Sequence, residues 1–398
     1  MIDYINSKDQ SRCCGCRACE QVCPKGALAM KPNDEGFLYP DLDTVKCIHC
    51  GLCDKVCPMM NRPEGVTPKS IYAVQHNRDE VLENSSSGGV FRLLADYVIE
   101  QGGCVVGCVW SEGNSPILTI AETHDALKPM QGSKYLSSDT TVVYKKVKGL
   151  LENGKLVLFT GAPCQCAGLL TYLRKSYENL YTADFLCHGM PSQQIFDAYL
   201  GSIEKRRKGK VSDIKFRDKS RRGWGYCFSY FCNGKKYADV GMTNPYTFGF
   251  VSGYLNRYSC YSCLFTGEKR FTDFTFCDYW GYFDYGIGVD GSKGISAVSV
   301  NTERAVRLQQ TLADQATWIP TKIDHVAAEN PSILYEEYCV PPEIRRKIYR
   351  LVDQEGWEQI EKQYLRMKHY HLKKLWYMLP VDIARALKQK IVVFNNID

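Results

Sequence analysis

Apolar and polar positions alternate through the middle of the chain in a strand-and-helix pattern. Residues 71–74 form a short apolar run that predicts a strand, and apolar residues within 90–98 recur at helical spacing. Gly102 and Gly103 end that predicted helix, and the apolar run 104–110 predicts the next strand. This alternation is typical of an α/β domain with a mixed sheet.

The same pattern continues toward the C-terminal half. A predicted strand at residues 156–159 is followed by a helix near 167–174, and Ser192 is placed to cap the helix after the next strand. Beyond Arg217 the spacing changes to that of hairpins, with Asn233-Gly234 as the clearest turn.

The two ends of the chain differ from this middle part. Apolar residues 27–30 and 37–39 flank a polar turn and predict a small hairpin, and residues 61–69, with two prolines and a glycine, predict a linker. The last fifty residues carry Lys and Arg clusters around residues 376–379 and predict helices outside the main sheet. We expect these helices to dock on the protein's own core, with contact to a membrane surface as the alternative. We therefore predict an α+β and α/β chain of three units: a small module at 1–64, a mixed α/β domain at 70–345 with parts near 70–150 and 155–320, and a basic helical tail at 346–398.

The composition is that of a soluble globular protein. The chain has 398 residues, of which 44% are hydrophobic and 24% are charged. No apolar run of about 18 residues predicts a spanning helix, and the first residues lack the features of a secretory signal. Twenty cysteines in such a chain indicate metal clusters in a reducing cytoplasm rather than a disulfide framework.

Eight of the cysteines form two copies of one motif. The motif Cys-x2-Cys-x2-Cys-x3-Cys-Pro begins at Cys13 and again at Cys47. This run holds two 4Fe-4S clusters in bacterial ferredoxins, where the fourth Cys of each run ligates the other cluster. Zinc is the alternative, since Cys-x2-Cys pairs also suit zinc, but zinc does not require two identical runs of four. We therefore predict one cluster at Cys13, Cys16, Cys19 and Cys57 and a second at Cys47, Cys50, Cys53 and Cys23.

The formal net charge of +6 does not indicate a nucleic-acid partner. Each 4Fe-4S site adds four thiolates to a core of about +2, so that two clusters lower the net charge to about +2 and a third to about zero. The sequence also lacks a basic motif interleaved with aromatic residues, so we predict no nucleic-acid binding.

Several further motifs follow the cysteine runs in a characteristic order. They are Ser85-Ser86-Ser87-Gly88-Gly89, Gln131-Gly132-Ser133-Lys134-Tyr135, Thr160-Gly161-Ala162-Pro163-Cys164-Gln165, Cys187-His188-Gly189-Met190-Pro191-Ser192, Phe216-Arg217-Asp218-Lys219 and Cys260-x2-Cys263. Over roughly residues 1–320 the chain thus resembles the beta subunit of coenzyme F-420 hydrogenase/dehydrogenase, a flavin and iron–sulfur family. That family also includes ferredoxin-dependent reductases of chlorophyll precursors.

The resemblance implies an FAD in the α/β domain. A serine-glycine run at a helix N-terminus favours a diphosphate, although such a run is more often a simple cap. Lys134 is implied as a catalytic cation near the flavin ring, and its alternative is a solvated surface lysine. Thr160 and Gly161 end a predicted buried strand, where α/β folds bind ligands. The expected FAD-binding residues are Ser86, Ser87, Gly88, Gly89, Ser133, Lys134, Tyr135, Thr160 and Gly161.

The resemblance also implies a third 4Fe-4S cluster, with structural or zinc-binding cysteines as alternatives. Its expected ligands are Cys164, Cys187, Cys260 and Cys263. His188 is a candidate catalytic proton donor, or else a hydrogen-bond partner of a cluster sulfur or a carbonyl. Asp278, Tyr279 and Trp280 either close the site or form a buried aromatic turn. Cys14 and Cys277 receive no role, and the expected buried apolar cysteines are Cys104, Cys108, Cys166, Cys227, Cys232 and Cys339.

Together these features predict a flavin- and iron–sulfur-dependent oxidoreductase. We expect it to exchange single electrons with a ferredoxin or a similar redox partner, and a hydride with a small molecule, of which coenzyme F-420 is the leading candidate. One alternative is a ferredoxin-dependent reductase of a carbonyl or alkene in a biosynthetic metabolite. The non-enzyme alternative is an electron-transfer subunit of a hydrogenase or dehydrogenase complex. The short linker predicts that the N-terminal module docks on the α/β domain.

Overall fold

The N-terminal module is a small α+β unit around the two cysteine runs. The computed structural model of the chain describes residues 2–330 and 343–378. Strands β1 and β2 pair antiparallel with Leu28 opposite Leu42, which confirms the predicted hairpin and its turn. The elements of the module are α1 (Asp3–Ser7), α2 (Ala18–Val22), β1 (Leu28–Pro32), β2 (Leu38–Leu42) and α3 (Leu52–Lys55).

The rest of the chain is built on an eight-stranded mixed sheet with the order β13-β3-β12-β11-β7-β6-β4-β5. Its four central strands, β11, β7, β6 and β4, run parallel, and the flanking strands pair antiparallel. The strands of this sheet are β3 (Ser70–His76), β4 (Cys104–Trp110), β5 (Pro116–Ala121), β6 (Val157–Thr160), β7 (Leu180–Phe185), β11 (Phe274–Asp278), β12 (Ser296–Val300) and β13 (Ala316–Pro320). Strands β8 (Val211–Lys215), β9 (Cys227–Cys232) and β10 (Lys235–Val240) form a separate antiparallel sheet with the order β10-β9-β8. The prediction of a mixed α/β fold with a mixed sheet is confirmed.

The helices of the chain beyond the module are α4 (Asp79–Asn84), α5 (Val90–Glu100), α6 (His124–Leu127), α7 (Val143–Glu152), α8 (Pro163–Leu173), α9 (Gln193–Arg207), α10 (Pro245–Val251), α11 (Glu303–Thr311), α12 (Ile323–Ala327), α13 (Glu343–Glu355), α14 (Trp357–Tyr364) and α15 (Tyr370–Met378). Of these, α5, α7, α8 and α11 contact the eight-stranded sheet, whereas α9 contacts β8 of the smaller sheet, and α13 and α14 contact α9. Helix α5 buries the apolar face predicted for it, including Val90, Leu93 and Val98, against the sheet.

Two local details show how well the turn and cap residues predict structure. The β9–β10 hairpin turns at Asn233 and Gly234, whose φ values of 51° and 71° both lie in the left-handed region that a two-residue hairpin requires. The Ser192 hydroxyl accepts a hydrogen bond from the Ile195 amide at 3.3 Å and caps α9 as predicted. Helix α8, in contrast, begins at Pro163 and not near residue 167, because proline is suited to the first turn of a helix, where its missing N–H is not needed.

The first part of the predicted tail packs on the protein's own core. Helices α13 and α14 bury Ile348, Tyr349, Trp357 and Ile360 in the same apolar cluster as α9. Helix α15 exposes Leu372 and Leu375. Among the described residues, no helix is long and apolar enough to cross a membrane. Cys339 and the end of the tail from residue 379 lie outside the described residues.

The N-terminal module lies directly against the α/β domain. Ala18 and Val56 are completely buried in a cluster that α7 and α8 share. Thr140 donates a hydrogen bond to the Cys16 carbonyl at 2.9 Å, and Thr171 donates one to the Val56 carbonyl at 2.7 Å. In the linker, the amide and carbonyl of Val66 pair with Arg270. The linker is therefore itself held on the larger domain, in agreement with the docking that its length predicts.

Candidate functional site

The first cysteine run surrounds one small pocket. Its lining includes Cys13, Cys14, Cys16, Cys19 and Cys57. Cys57 belongs to the second run, so the chain crosses over as the motif predicts. Burial, and then the neighbouring thiols of Cys13 and Cys57, raise the pKa of Cys19 well above its usual value. The four predicted ligands of this cluster are thus brought together.

The second run lines a separate cavity of about 190 Å³. The four thiols on its wall are those of Cys23, Cys47, Cys50 and Cys53. Cys23 comes from the first run, and its sulfur accepts a hydrogen bond from the Ala27 amide at 3.2 Å. Cys50 is exposed to solvent, whereas Cys16 in the first run is buried. The predicted donor set of the second cluster therefore also converges, at a more open position.

The remaining predicted cluster ligands converge from three distant stretches of the chain. Cys164 lies in the first turn of α8, Cys187 follows β7, and Cys260 and Cys263 follow α10. Burial, and then the charges of the Cys187 and Cys263 thiols, raise the pKa of Cys260. Four partly buried thiols from three stretches of the chain therefore lie near one another, and we call them the third thiol group.

Cys14 links the first-run pocket to the third thiol group. Interaction with the neighbouring thiols of Cys16 and Cys164 holds the pKa of Cys14 well below its usual range. Helix α8, whose first turn carries Cys164, also approaches the first run closely: a Cβ atom added to Gly168 would lie 3.0 Å from the Cys16 sulfur. Sequence spacing gives Cys14 no role, and only the docked module shows that it lies between two groups of candidate ligands.

A larger cleft of about 260 Å³ opens at the edge of the sheet where the parallel strands β6, β7 and β11 end. The predicted residues that line it are Ser86, Ser87, Gly89, Ser133, Lys134, Tyr135, Thr160, Gly161 and His188. Cys187 lies on the same wall, so the third thiol group adjoins the cleft. This is the edge at which α/β sheets bind ligands.

Gly88 is the one predicted FAD-binding residue that does not line the cleft. A Cβ atom at this position would lie 2.1 Å from the Val74 carbonyl and 2.6 Å from the Ser296 amide. Gly88 also accepts a hydrogen bond from the His76 amide and donates one to the Ser296 hydroxyl. Glycine at this position thus allows the loop of Ser85, Ser86 and Ser87 to pack closely on β3 and β12.

The polar end of the cleft is formed by the first turn of α5 and the loop before it. Gly89 precedes the helix with a φ of 86°, and no side chain caps it. The Ser87 hydroxyl instead donates a hydrogen bond to the Ile295 carbonyl at 2.7 Å, and Ser86 accepts one from the Ser133 amide at 2.7 Å. The serines therefore do not act as a cap, and the first amides of this 11-residue helix have the character of an anion-binding site.

Lys134 is not a solvated surface lysine. Its ammonium donates hydrogen bonds to the carbonyls of Pro129, Gln131 and Gly132 at 3.1–3.3 Å. Burial lowers the pKa of Lys134. The side chain therefore closes the loop that forms one wall of the cleft, while its positive charge remains at that wall.

The other end of the cleft is aromatic and rests on a buried ion pair that the sequence does not reveal. Arg217 forms two contacts with the Asp278 carboxylate at 2.5 and 3.1 Å, and also donates to the Tyr135 hydroxyl at 3.1 Å. The Trp224 indole donates to Asp278 at 3.1 Å and stacks on Trp280 with ring centroids 4.5 Å apart. Arg217 and Asp278 each belong to a stretch that is recognisable in the sequence. The sequence does not reveal that they pair with each other across 61 positions.

The other candidates divide between the cleft and the core. Asp278, Trp280 and Cys277 line the cleft, while Tyr279 is completely buried and bonds to Thr321. Burial lowers the pKa of His188, which lies in the cleft wall 6.3 Å from the Phe250 ring. Of the cysteines expected in the core, Cys104, Cys166, Cys227 and Cys232 are buried, and Cys108 instead lines the cleft.

A dicluster-type cysteine module docked on a mixed α/β domain defines an iron–sulfur electron-transfer protein. Residues 12–61 match the 4Fe-4S dicluster domain, and residues 154–324 match the C-terminal part of the beta subunit of coenzyme F420 hydrogenase/dehydrogenase. The chain is therefore similar to this beta-subunit family over residues 154–324 and carries a 4Fe-4S dicluster domain at its N-terminal end. The family resemblance predicted from the motifs is confirmed.

Among solved structures, the chain is similar to one chain of the F420-reducing [NiFe] hydrogenase complex from Methanosarcina barkeri, in a xenon-derivatised form. The match covers 67% of this chain and 90% of that one, with 16% sequence identity and a TM-score of 0.45. No curated protein matches the chain significantly.

Proposed function

We propose that this protein is an iron–sulfur flavoprotein oxidoreductase. In this proposal the two cysteine runs hold two 4Fe-4S clusters, the third thiol group holds another, and the cleft holds FAD. The observation that carries it is the continuous succession from the second-run cavity to the first-run pocket, Cys14, the third thiol group and the cleft wall at Cys187.

The two ends of the cleft suit the two ends of a dinucleotide flavin. The uncapped first turn of α5 offers amides to a diphosphate. Tyr135, Tyr226 and Trp280 offer aromatic surfaces against which a flat ring can stack. A bound flavin would exchange a hydride with an organic molecule and single electrons with the clusters, which an iron–sulfur cluster alone cannot do.

Two side chains in the cleft wall would act on such a ring. The fixed charge of Lys134 would stabilise negative charge on a reduced ring nearby. His188 lies beside Cys187, between the third thiol group and the aromatic end, where it can hold or deliver a proton. Both roles require the partner molecule to reach the open side of the cleft.

The open position of the second run suits exchange of electrons with another protein. Cys50 is exposed there, and the neighbouring Val45 is 94% exposed. A ferredoxin or a similar small carrier is the partner class that such a surface fits. We propose the organic partner from the family match: the family is described by its action on coenzyme F-420, which is therefore the first candidate.

Cofactor content tests the proposal most directly. Protein purified without oxygen should carry FAD and about twelve irons, as three 4Fe-4S clusters require. The Cys260→Ala, Cys263→Ala variant should lose about four irons and keep FAD. Zinc in place of iron in the wild-type protein would reject the proposal.

The organic partner can be identified by testing which molecule reduces the flavin. Reduced coenzyme F-420 should bleach the flavin absorbance in the wild-type protein and in the Cys260→Ala, Cys263→Ala variant. Flavin reduction by reduced ferredoxin alone, with no response to F-420, would instead favour a ferredoxin-dependent reductase of another metabolite. Activity found only with a hydrogenase or dehydrogenase subunit present would favour the electron-transfer subunit.

A further inference from the structure

Arg257 is buried between the module and the α/β domain without a carboxylate partner. Its side chain is 2% exposed, and it donates hydrogen bonds to the carbonyls of Cys13 at 2.7 Å and Leu38 at 2.8 Å. Its guanidinium lies 3.9 Å from the centre of the Tyr39 ring. None of the ion pairs among residues 2–330 and 343–378 includes it. Its positive charge is therefore not neutralised by an acidic side chain in that part of the chain.

The other buried arginines in the described ranges are all neutralised. Arg92 pairs with Asp96, Arg217 with Asp278, Arg270 with Asp184, and Arg345 with Glu35. An uncompensated buried charge is strongly unfavourable, and carbonyl hydrogen bonds recover only part of its lost hydration. Arg257 therefore indicates a negative charge nearby that is not a carboxylate.

Two loops that carry candidate cluster ligands flank Arg257. A Cβ atom at Gly15 would lie 3.0 Å from Arg257 Nη1, so the guanidinium touches the loop between Cys13 and Cys16. The main chain of Arg257 contacts the other loop: the Cys260 amide donates to the Arg257 carbonyl at 3.0 Å, and the Arg257 amide donates to the Met190 carbonyl. Arg257 thus lies between the first run and the third thiol group. A 4Fe-4S cluster with four thiolates has a net charge of about −2, which becomes more negative on reduction.

We propose that Arg257 is the counter-cation shared by the first-run cluster and the cluster of the third thiol group, and that it sets their reduction potentials. This inference rests on the proposed function. As a positioning residue, Arg257 ties the Cys13 loop to the Cys260 loop. Its fixed charge favours the more negative, reduced state of both clusters over the oxidised one. The cavity of the second run, with Cys50 exposed, does not have Arg257 in its wall.

Gly15 is part of the same arrangement. Its φ is 74°, and a side chain there would collide with the guanidinium. Glycine at this position therefore admits the arginine against the Cys13–Cys16 loop.

The test is a redox titration of the full-length, cluster-loaded protein followed by EPR. In Arg257→Gln, the equilibrium constant for reducing the first-run and third clusters should fall about tenfold, which is 59 mV for a one-electron couple. The second-run cluster should keep its wild-type potential. Arg257→Lys, which keeps the charge but not the two-pronged contact, should stay near wild type. The control Glu35→Gln, Arg345→Gln removes a neighbouring neutral pair and should shift the potentials much less.

Failure of the proposed function and failure of the role of Arg257 give different results. Wild-type protein that binds no iron rejects the proposed function. Clusters that bind in Arg257→Gln with unchanged potentials, or with all three shifted equally, overturn the role of Arg257. If Arg257→Gln folds by circular dichroism but lacks the first-run cluster, retention of that cluster in Arg257→Lys supports the counter-cation. Loss of the cluster in Arg257→Lys as well would assign the effect to shape and reject the proposal.

Discussion

The two cysteine runs have the same spacing and very different surroundings. The first run packs against α7 and α8, with Cys16 buried and the Arg257 guanidinium beside it. The second run faces solvent, with Cys50 exposed and Val45 and Ile48 94% and 57% exposed beside it. Equal ligand motifs thus acquire different roles from the surface on which the module docks. The inner site is suited to exchange with the α/β domain, and the outer one to exchange with a partner.

The largest expected effect comes from removing the fourth cysteine of each site. Because Cys57 lies with the first run and Cys23 with the second, Cys57→Ala should lose the inner cluster and Cys23→Ala the outer one. Each variant should lose about four irons, and EPR should identify which cluster remains. Cys14→Ala is the matched control and should keep all the iron. Loss of the outer cluster in Cys57→Ala would show that the runs do not cross.

A second prediction concerns the ion pair that holds the inner side of the N-terminal module in place. Glu35 in the module hairpin forms two contacts with the buried Arg345, at 2.6 and 2.8 Å. Glu35→Ala leaves a buried guanidinium unpaired and should lower the free energy of unfolding by about 3 kcal/mol. Hydrogen exchange should then increase around the first run more than around the second.

The matched control for that prediction lies on the same hairpin. Asp41 pairs with Lys31 on the surface, with side chains 50% and 67% exposed. Because exposed pairs contribute at most about 1 kcal/mol, Asp41→Ala should have little effect. Equal destabilisation by both variants would mean that the Glu35–Arg345 pair does not anchor the module.

The sequence alone predicts the cysteines of the two sites but not the surroundings of those cysteines. The fixed spacing of the cysteines is a local property, so it predicts which cysteines line each of the two cavities, including the exchange of Cys23 and Cys57 between the runs. The positions of α5 and β4 likewise followed from apolar periodicity. The surroundings could not be inferred, because Arg257 reaches Cys13 across 244 positions and Arg217 reaches Asp278 across 61. Such contacts depend on strand order and docking, which local patterns do not encode.

A third prediction uses accessibility to compare the sites. Cys50 is exposed, whereas the first run packs against α7 and α8. An iron chelator or mild oxidation should therefore remove the outer cluster first, with EPR signals lost in two separate phases. Glu35→Ala should bring the two phases closer together. Simultaneous loss in the wild-type protein would contradict the protected position of the inner site.

The smallest expected effect concerns the exposed apolar residues beside the outer site. Single exposed apolar residues are common, but here two lie close together: Ile48 directly follows Cys47 in the wall of the outer cavity, and Val45 lies two residues before Cys47. Val45→Asp should weaken docking of an electron-carrier protein by about 1 kcal/mol, since the substitution adds a charge where apolar contact is expected, and should slow reduction about fivefold. The potentials and the reaction with a small chemical reductant should be unchanged, because no ligand or buried charge is altered. Val142→Asp, at another exposed site, serves as the control. Unchanged rates with a protein donor in Val45→Asp would mean that the partner does not use this loop, and the division of roles between the outer and inner sites would need another basis.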